Sequence, residues 1–423
     1  MNSQVATTAT KADARDVGLR ARRRVAYRLL PFVFLLYIIN YIDRVNVSFA
    51  NLRMSADLGF SDRVYGLGVG MFYITYVLFE IPGAIIVERW SARKWIARIM
   101  ISWGIVTILT GFVRTASQFY AARFLLGVAE SSFFPGMIVY LTHWFCARDR
   151  SRSIACLYTA NPAATLIGAP LAGWLLRVHW QSLAGWRWLF ILEGLPAVGV
   201  GIITYFYMTD RPAQARWLPD DERDWLVNEL QSELEAKKKL RNYTIMEALG
   251  DRRILTLMTA FFLALTGALG TVYWIPTFVK RLSGAPNETV TSLLLHWHAA
   301  IPLLGSALMF ALVTAIAYRA PFAVVFLLLG SGFLFAYYPA FWAIPTTMLG
   351  ETAAAATFGL INSIGQLGGL AGNYTIGFLN DRTQSLVASF GLIALVYVVA
   401  GGLILSLKTR AALGATQSPA FFK

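Results

Sequence analysis

Residues 29–50, LLPFVFLLYIINYIDRVNVSFA, decide what kind of protein this is. Apolar side chains fill the stretch without strand-like alternation. At 1.5 Å per residue, a helix of this length matches the roughly 30 Å hydrocarbon core of a bilayer. It reads as a membrane-crossing helix, yet it carries the adjacent ionisable pair Asp43-Arg44. Each such group costs about 2.5–3.5 kcal/mol at mid-bilayer on insertion scales, so each asks for a partner or a task.

The same texture recurs outward from that stretch. Further runs of comparable length fall at 64–88, 95–114, 118–143, 154–177 and 187–208, then at 254–278, 292–317, 321–347, 352–379 and 386–407. None alternates over about ten residues as barrel strands do. Composition agrees: 57% of 423 residues are hydrophobic and 14% charged, against about a quarter charged in soluble domains. Mean hydropathy is +0.55. The sequence predicts an all-α polytopic membrane protein. Two cysteines exclude a disulfide scaffold or cysteine cluster, and four histidines lack metal-ligand spacing. Neither a metal nor a cofactor is expected. Residues 1–28 are polar and basic, so no signal peptide opens the chain.

A net charge of +14 could suggest nucleic acid, so where it sits matters. Basic residues gather in 1–28, around Arg93, around Arg150 and in the mixed run 210–253, at every second gap between apolar runs. That is the positive-inside pattern, and no continuous basic face on a folded domain accompanies it. Nucleic acid is excluded as a partner; the bilayer is expected. The layout predicted is a basic cytoplasmic tail (1–28), a six-helix bundle (29–208), a cytoplasmic linker (209–253), a second bundle (254–407) and a tail (408–423). Five runs after the linker make eleven in all. Simple crossing by each would leave Lys408 and Arg410 outside, against the charge rule.

Ionisable groups within the runs are the candidate machinery. Asp43 and Arg44 lie in the first, while Arg123 and Glu130 lie seven apart on one face of the fourth. A buried carboxylate near a cation can exchange protons at working pH, and a guanidinium can hold a substrate carboxylate by two bonds. Together they suit a proton-coupled anion carrier. Glu80 and Glu193 fit either such a role or a helix contact. Asn161, Tyr273, Trp342, Asn362 and Gln366 add polar or aromatic groups, with Asn362 and Gln366 four apart on one face. His143 reads as interfacial, and Gly66, Gly68 and Gly70 as packing glycines without the strand that a phosphate loop requires.

At these residues a resemblance emerges. LLPFVFLLYIINYIDRVNVSFANLRMSADLGFS (29–61), EIPGAIIVERWSARKWIARIMISWGI (80–105), RFLLGVAESSFFPGMIVYLTHWF (123–145) and GWRWLFILEGLPA (185–197) resemble the anion:cation symporter family of the major facilitator superfamily. PTTMLGETAAAATFGLINSIGQLGGLAGNYTIG (345–377) is most similar to members that carry tartrate and related hydroxy acids. The resemblance implies a two-bundle carrier, not an enzyme, acting as a monomer in the inner (plasma) membrane with its N-terminus cytoplasmic. It implies proton-coupled uptake of a small organic anion by alternating access. Asp43 and Glu130 match the protonatable carboxylates. Arg44, Arg123, Tyr41, Asn161, Trp342 and Asn362 match substrate-cavity positions, and Tyr273 and Gln366, read from the residues alone, are counted with them as substrate contacts. Glu88, Arg89 and Arg93 match the gating loop, although Ser91 stands where glycine is usual. One departure is large. TVTSLLL (289–295) runs directly into HWHAAIPLLGSALMF (296–310), so the family's eighth helix and its following loop, roughly 30 residues by span arithmetic, are missing. That leaves about 11 of 12 helices, and a second reading: a sensor-like or transport-defective member that binds its anion without moving it.

Overall fold

The computed structural model describes residues 2–178, 180–238, 250–283, 341 and 351–406. Among them the order is α1 (Asn2–Leu58), α2 (Asp62–Arg89), α3 (Ala92–Thr110), α4 (Ala116–Glu130), α5 (Phe133–Trp144), α6 (Ala147–Tyr158), α7 (Ala160–Leu175), α8 (Gly185–Tyr207), α9 (Asp220–Lys238), α10 (Arg252–Ser283), α11 (Glu351–Thr383) and α12 (Val387–Ser406), with no named strand. Five helical segments, or six counting α2 with its 43° bend, are long and apolar enough to cross a membrane. One of these is α4 and α5 taken together, Ala116–Trp144. The runs at 292–317 and 321–347 lie outside the described residues, apart from Phe341.

Short polar punctuation separates the helices. Ser61, Ser91 and Thr115 each turn a side-chain oxygen onto the backbone N–H three residues on, capping α2, α3 and α4. Two expected runs are broken. Residues 118–143 form α4 and α5 with a sharp step at Ser132, whose φ of 66° is left-handed. Pro135 follows two residues inside α5, where its missing N–H costs nothing. Residues 154–177 divide between α6 and α7 at Thr159. Gly66, Gly68 and Gly70 are packing positions. A Cβ at Gly66 would lie 2.2 Å from the Asn373 carbonyl oxygen, so α2 and α11 touch through their backbones.

Hydrogen bonds fix which helix ends share a side. On one side, Arg22 forks onto Asp149 through Nε (2.5 Å) and Nη2 (2.6 Å), and Arg24 Nε reaches Glu222 at 2.9 Å. The Arg22 bonds hold the Asp149 carboxyl below its ordinary range. Ser91 Oγ donates to Asp210 on the same side. On the far side, Trp186 Nε1 donates to Asp57 (2.8 Å), and Arg281 Nη2 donates to Asp62 (2.6 Å). The Asp62 and Arg63 N–H groups donate to Asp381 at 2.9 and 2.8 Å.

That geometry decides a point the count of apolar runs left open. Five simple crossings after the linker would make α10 and α11 antiparallel. Instead, both end on the far side, at Arg281 and Asp381, so they run parallel. α12 departs from that side and returns toward the linker. α10 packs on α11 and α12 much as α1 packs on α7 and α8, the repeat expected of two related bundles.

Candidate functional site

The step at Ser131-Ser132 ends α4 at Glu130, which is fully buried. One turn of α1 meets it there. Asn40 Nδ2 donates to Glu130 Oε1 at 2.9 Å and Arg44 Nε donates to the same oxygen at 2.8 Å, with Arg44 Nη2 also on it. The other oxygen, Oε2, has no partner. Phe72 and Tyr76 of α2 lie against the Arg44 guanidinium, 5.5 and 5.1 Å from ring centre to cation.

Two turns earlier on α4, Arg123 is 1% exposed. It joins no ion pair among the described residues, and its Nε and Nη2 meet no hydrogen-bond partner. The Phe72 ring stands 5.2 Å away. A guanidinium buried with no counter-ion among the described residues is costly. Between α2 and α10, Tyr73 donates to the Tyr273 hydroxyl at 3.2 Å and Tyr65 to the Tyr273 carbonyl at 2.8 Å.

Asp43 sits elsewhere. Its carboxylate accepts from Thr107 Oγ1 of α3 (2.9 Å) and Asn46 Nδ2 (3.0 Å), with no arginine paired to it. Glu193 of α8 comes up to the same Asn46, and its Oε2 is unpartnered. So Asp43 and Glu130, which the sequence paired as the protonatable carboxylates, hydrogen-bond to different neighbours. Tyr41 is half-buried on α1, and Asn161 on α7 keeps a buried Oδ1 without a partner.

Asn362 does not stand free. Its Nδ2 donates to Glu80 Oε1 at 2.8 Å, and Ser363 Oγ donates to Glu80 Oε2 at 3.0 Å. This carboxylate of α2 therefore grips α11 across the two bundles. Gln366 lies one turn further along α11, half-buried. Trp342 lies outside the described residues. At the linker-side end of α2, Glu88 pairs with His143 Nε2 (2.8 Å) and approaches Arg211 (3.5 Å). His143, read as interfacial, lies at this end and is 9% exposed, under this pair. Arg89 is exposed, and Arg93 gives its N–H to Asp210 at 2.8 Å.

Comparison with known proteins places these features. The Major Facilitator Superfamily profile matches residues 33–301. A protein of Agrobacterium vitis, provisionally named a tartrate transporter, is 39% identical over 92% of this chain and 94% of its own length. The metabolite transport protein NicT of Pseudomonas putida, also a provisional name, is 34% identical over 92% and 94%. Among solved structures, a bacterial homologue of the human lysosomal transporter Spinster, inward-facing and unoccupied, superposes with a TM-score of 0.72 at 17% identity, covering 95% of this chain and 99% of that one. Charged groups buried between apolar helices, two bundles of matching plan and a family match through both of them leave one assignment: the chain belongs to the Major Facilitator Superfamily and is one of its transporters.

Proposed function

We propose that this transporter takes up a small organic anion together with protons, by alternating access. Its cargo is a hydroxylated dicarboxylate of the tartrate class or a sugar acid. The observation that carries the reading is Arg123, buried with two unsatisfied nitrogens beside an Arg44 already held by Glu130. A guanidinium fork recognises a carboxylate by two parallel bonds. Glu130 and a substrate carboxylate compete for Arg44. A proton on Glu130 removes the competitor and frees Arg44 for a second carboxylate, which ties proton entry to dianion binding. The relatives named for tartrate support the same substrate class.

The test is uptake of labelled tartrate into proteoliposomes under an imposed pH gradient, alongside equilibrium binding. Accumulation driven by external acid is expected. Arg123→Lys keeps the charge but loses the fork, and it should weaken binding about tenfold or more, as for one lost charge-assisted bond. The diamide analogue should bind poorly to the parent. Equal binding of acid and amide would show that the arginines serve only structure.

The missing eighth-helix sequence favours a second reading, in which the anion binds and is not moved. Binding without flux in the same preparation would select it.

A further inference from the structure

α3 and α8 lie against one another with almost nothing between them. A Cβ at Gly104 would fall 2.8 Å from the Gly194 carbonyl oxygen, and one at Gly201 would fall 3.0 Å from the Ile101 nitrogen. Because the backbones meet, the larger side chains on the outer flank stand apart and leave a groove. It has a volume of about 460 Å³ and is floored by Ile101, Ile105 and Ile202 with Phe206 at its rim. Ile105, Ile202 and Phe206 are 46%, 49% and 77% exposed, so the groove opens outward from the bundle.

One end of this groove is charged. Lys94 and Arg98 continue the stripe of Ile101 and Ile105 along α3, at spacings of four, three and four. Neither forms an ion pair among the described residues. Lys94 lies 5.6 Å over Trp90 and Arg98 lies 4.0 Å over Trp95, with the Arg98 Nε buried and without a hydrogen-bond partner. Asp210, the carboxylate at this end of α3, is spent on the helix cap, accepting from Ser91 Oγ and the Arg93 N–H. Two uncompensated cations therefore crown an apolar trough whose size suits one acyl chain.

We propose that the outer α3–α8 groove binds one anionic phospholipid, with its phosphate on Lys94 and Arg98 and one acyl chain laid along Ile101, Ile105 and Ile202. The basic end shares its side with the linker, so the lipid belongs to the leaflet on that side. The contact sits on the outer flank, away from Arg123 and Glu130. A lipid seated there bridges the first-bundle helices α3 and α8.

The purified full-length chain, titrated in detergent micelles with phosphatidylglycerol or phosphatidylcholine and read by native mass spectrometry, tests this. Phosphatidylglycerol should fill one preferred site and phosphatidylcholine should not. The double substitution Lys94→Gln/Arg98→Gln should weaken that site about 30-fold, since each basic contact at an anionic surface is worth about fivefold. The charge-preserving exchange Lys94→Arg/Arg98→Lys should retain binding to within a few-fold, which separates lost charge from a folding defect. Ile101→Trp, which fills the groove and spares the charges, should also weaken binding. Glycerol 3-phosphate should fail to compete at comparable concentration. Equal retention of the two lipids, an unaffected double-glutamine variant, or competition by glycerol phosphate would each overturn the proposal, the last by showing a phosphate site without an acyl groove.

Discussion

Arg44 and Arg123 are the same residue type at similar depth, and their surroundings give them opposite duties. Arg44 gives its fork to Glu130, whereas Arg123 Nε and Nη2 meet no partner among the described residues. In the proposed cycle Glu130 is the group whose protonation would change what the cavity can bind. Glu130→Gln should abolish accumulation driven by a pH gradient while leaving counterflow exchange partly intact, because exchange need not return an empty, deprotonated carrier. A variant that still concentrates substrate would remove Glu130 from the role. Asp43 and Glu193 pose a different question, for both reach Asn46 and neither forms an ion pair among the described residues. A buried carboxylate without an ion-pair partner gains little from its charge, and glutamine preserves its shape and its reach to Asn46. Glu193→Gln should then leave the melting temperature unchanged or raise it. A fall of several degrees would show that Glu193 is ionised and needed as such. The price of charge in a membrane made all of these residues visible in the sequence; it could not say which carboxylate would meet which arginine. That depends on the step at Ser132, which aims Glu130 at α1, and on α3 bringing Thr107 to Asp43.

At the level of helices, the seam between α2 and α11 does most to join the two bundles. Asp381 accepts two α2 backbone N–H groups at its far end, Gly66 meets Asn373 midway, and Glu80 receives Asn362 and Ser363 further on. Opening a path to the far side must break these contacts in turn. Hydrogen bonds to a charged group are worth about 1.5–3 kcal/mol each, so losing two can shift a two-state balance by well over tenfold. Glu80→Ala should therefore slow cross-linking of an Arg63→Cys/Tyr374→Cys pair by at least about tenfold, that pair being in contact across the seam. An unchanged rate would mean that Glu80 only fills space. Helix positions were legible from hydropathy because backbone groups in lipid must bond within their own segment. Pairing was less so. Asn362 looked like a ligand contact for its spacing with Gln366, while its partner Glu80 lies 282 residues away. His143 likewise gave no sign of its partner, since Glu88 comes to it from another helix.

On the scale of the whole chain, the directions of α10, α11 and α12 set a constraint that hydropathy alone did not. α10 leaves the linker side and ends with Arg281 on Asp62; α11 ends beside the same residue, with Asp381 on its N–H. Both rise in one direction, and α12 descends. The positive-inside rule asks for the same arrangement, since Lys408 and Arg410 then return to the side that holds Arg22, Arg24 and the linker. Each of those cations is worth about 1 kcal/mol at an anionic surface, so rule and packing reinforce one another. The expected outcome can be read with single cysteines in a background where Cys146 and Cys156 are serine. Ala285→Cys and Arg319→Cys should label with an impermeant reagent from the far side, and Gly350→Cys and Ala415→Cys only from the linker side. Labelling of 319 from the linker side, with 350 and 415 from the far side, would show that the last helices have followed the simple five-run count instead. The alternation also bears on activity. The family resemblance implies an eighth helix that packs at the junction of the bundles and helps form a gate. A carrier short of that sequence keeps its charged site in the first bundle and loses one of the surfaces that must close over it. Anion binding that survives with weak or absent proton-driven flux is the result expected. Robust accumulation by the unaltered chain would mean that the α2–α11 seam and the remaining helices suffice to gate both sides.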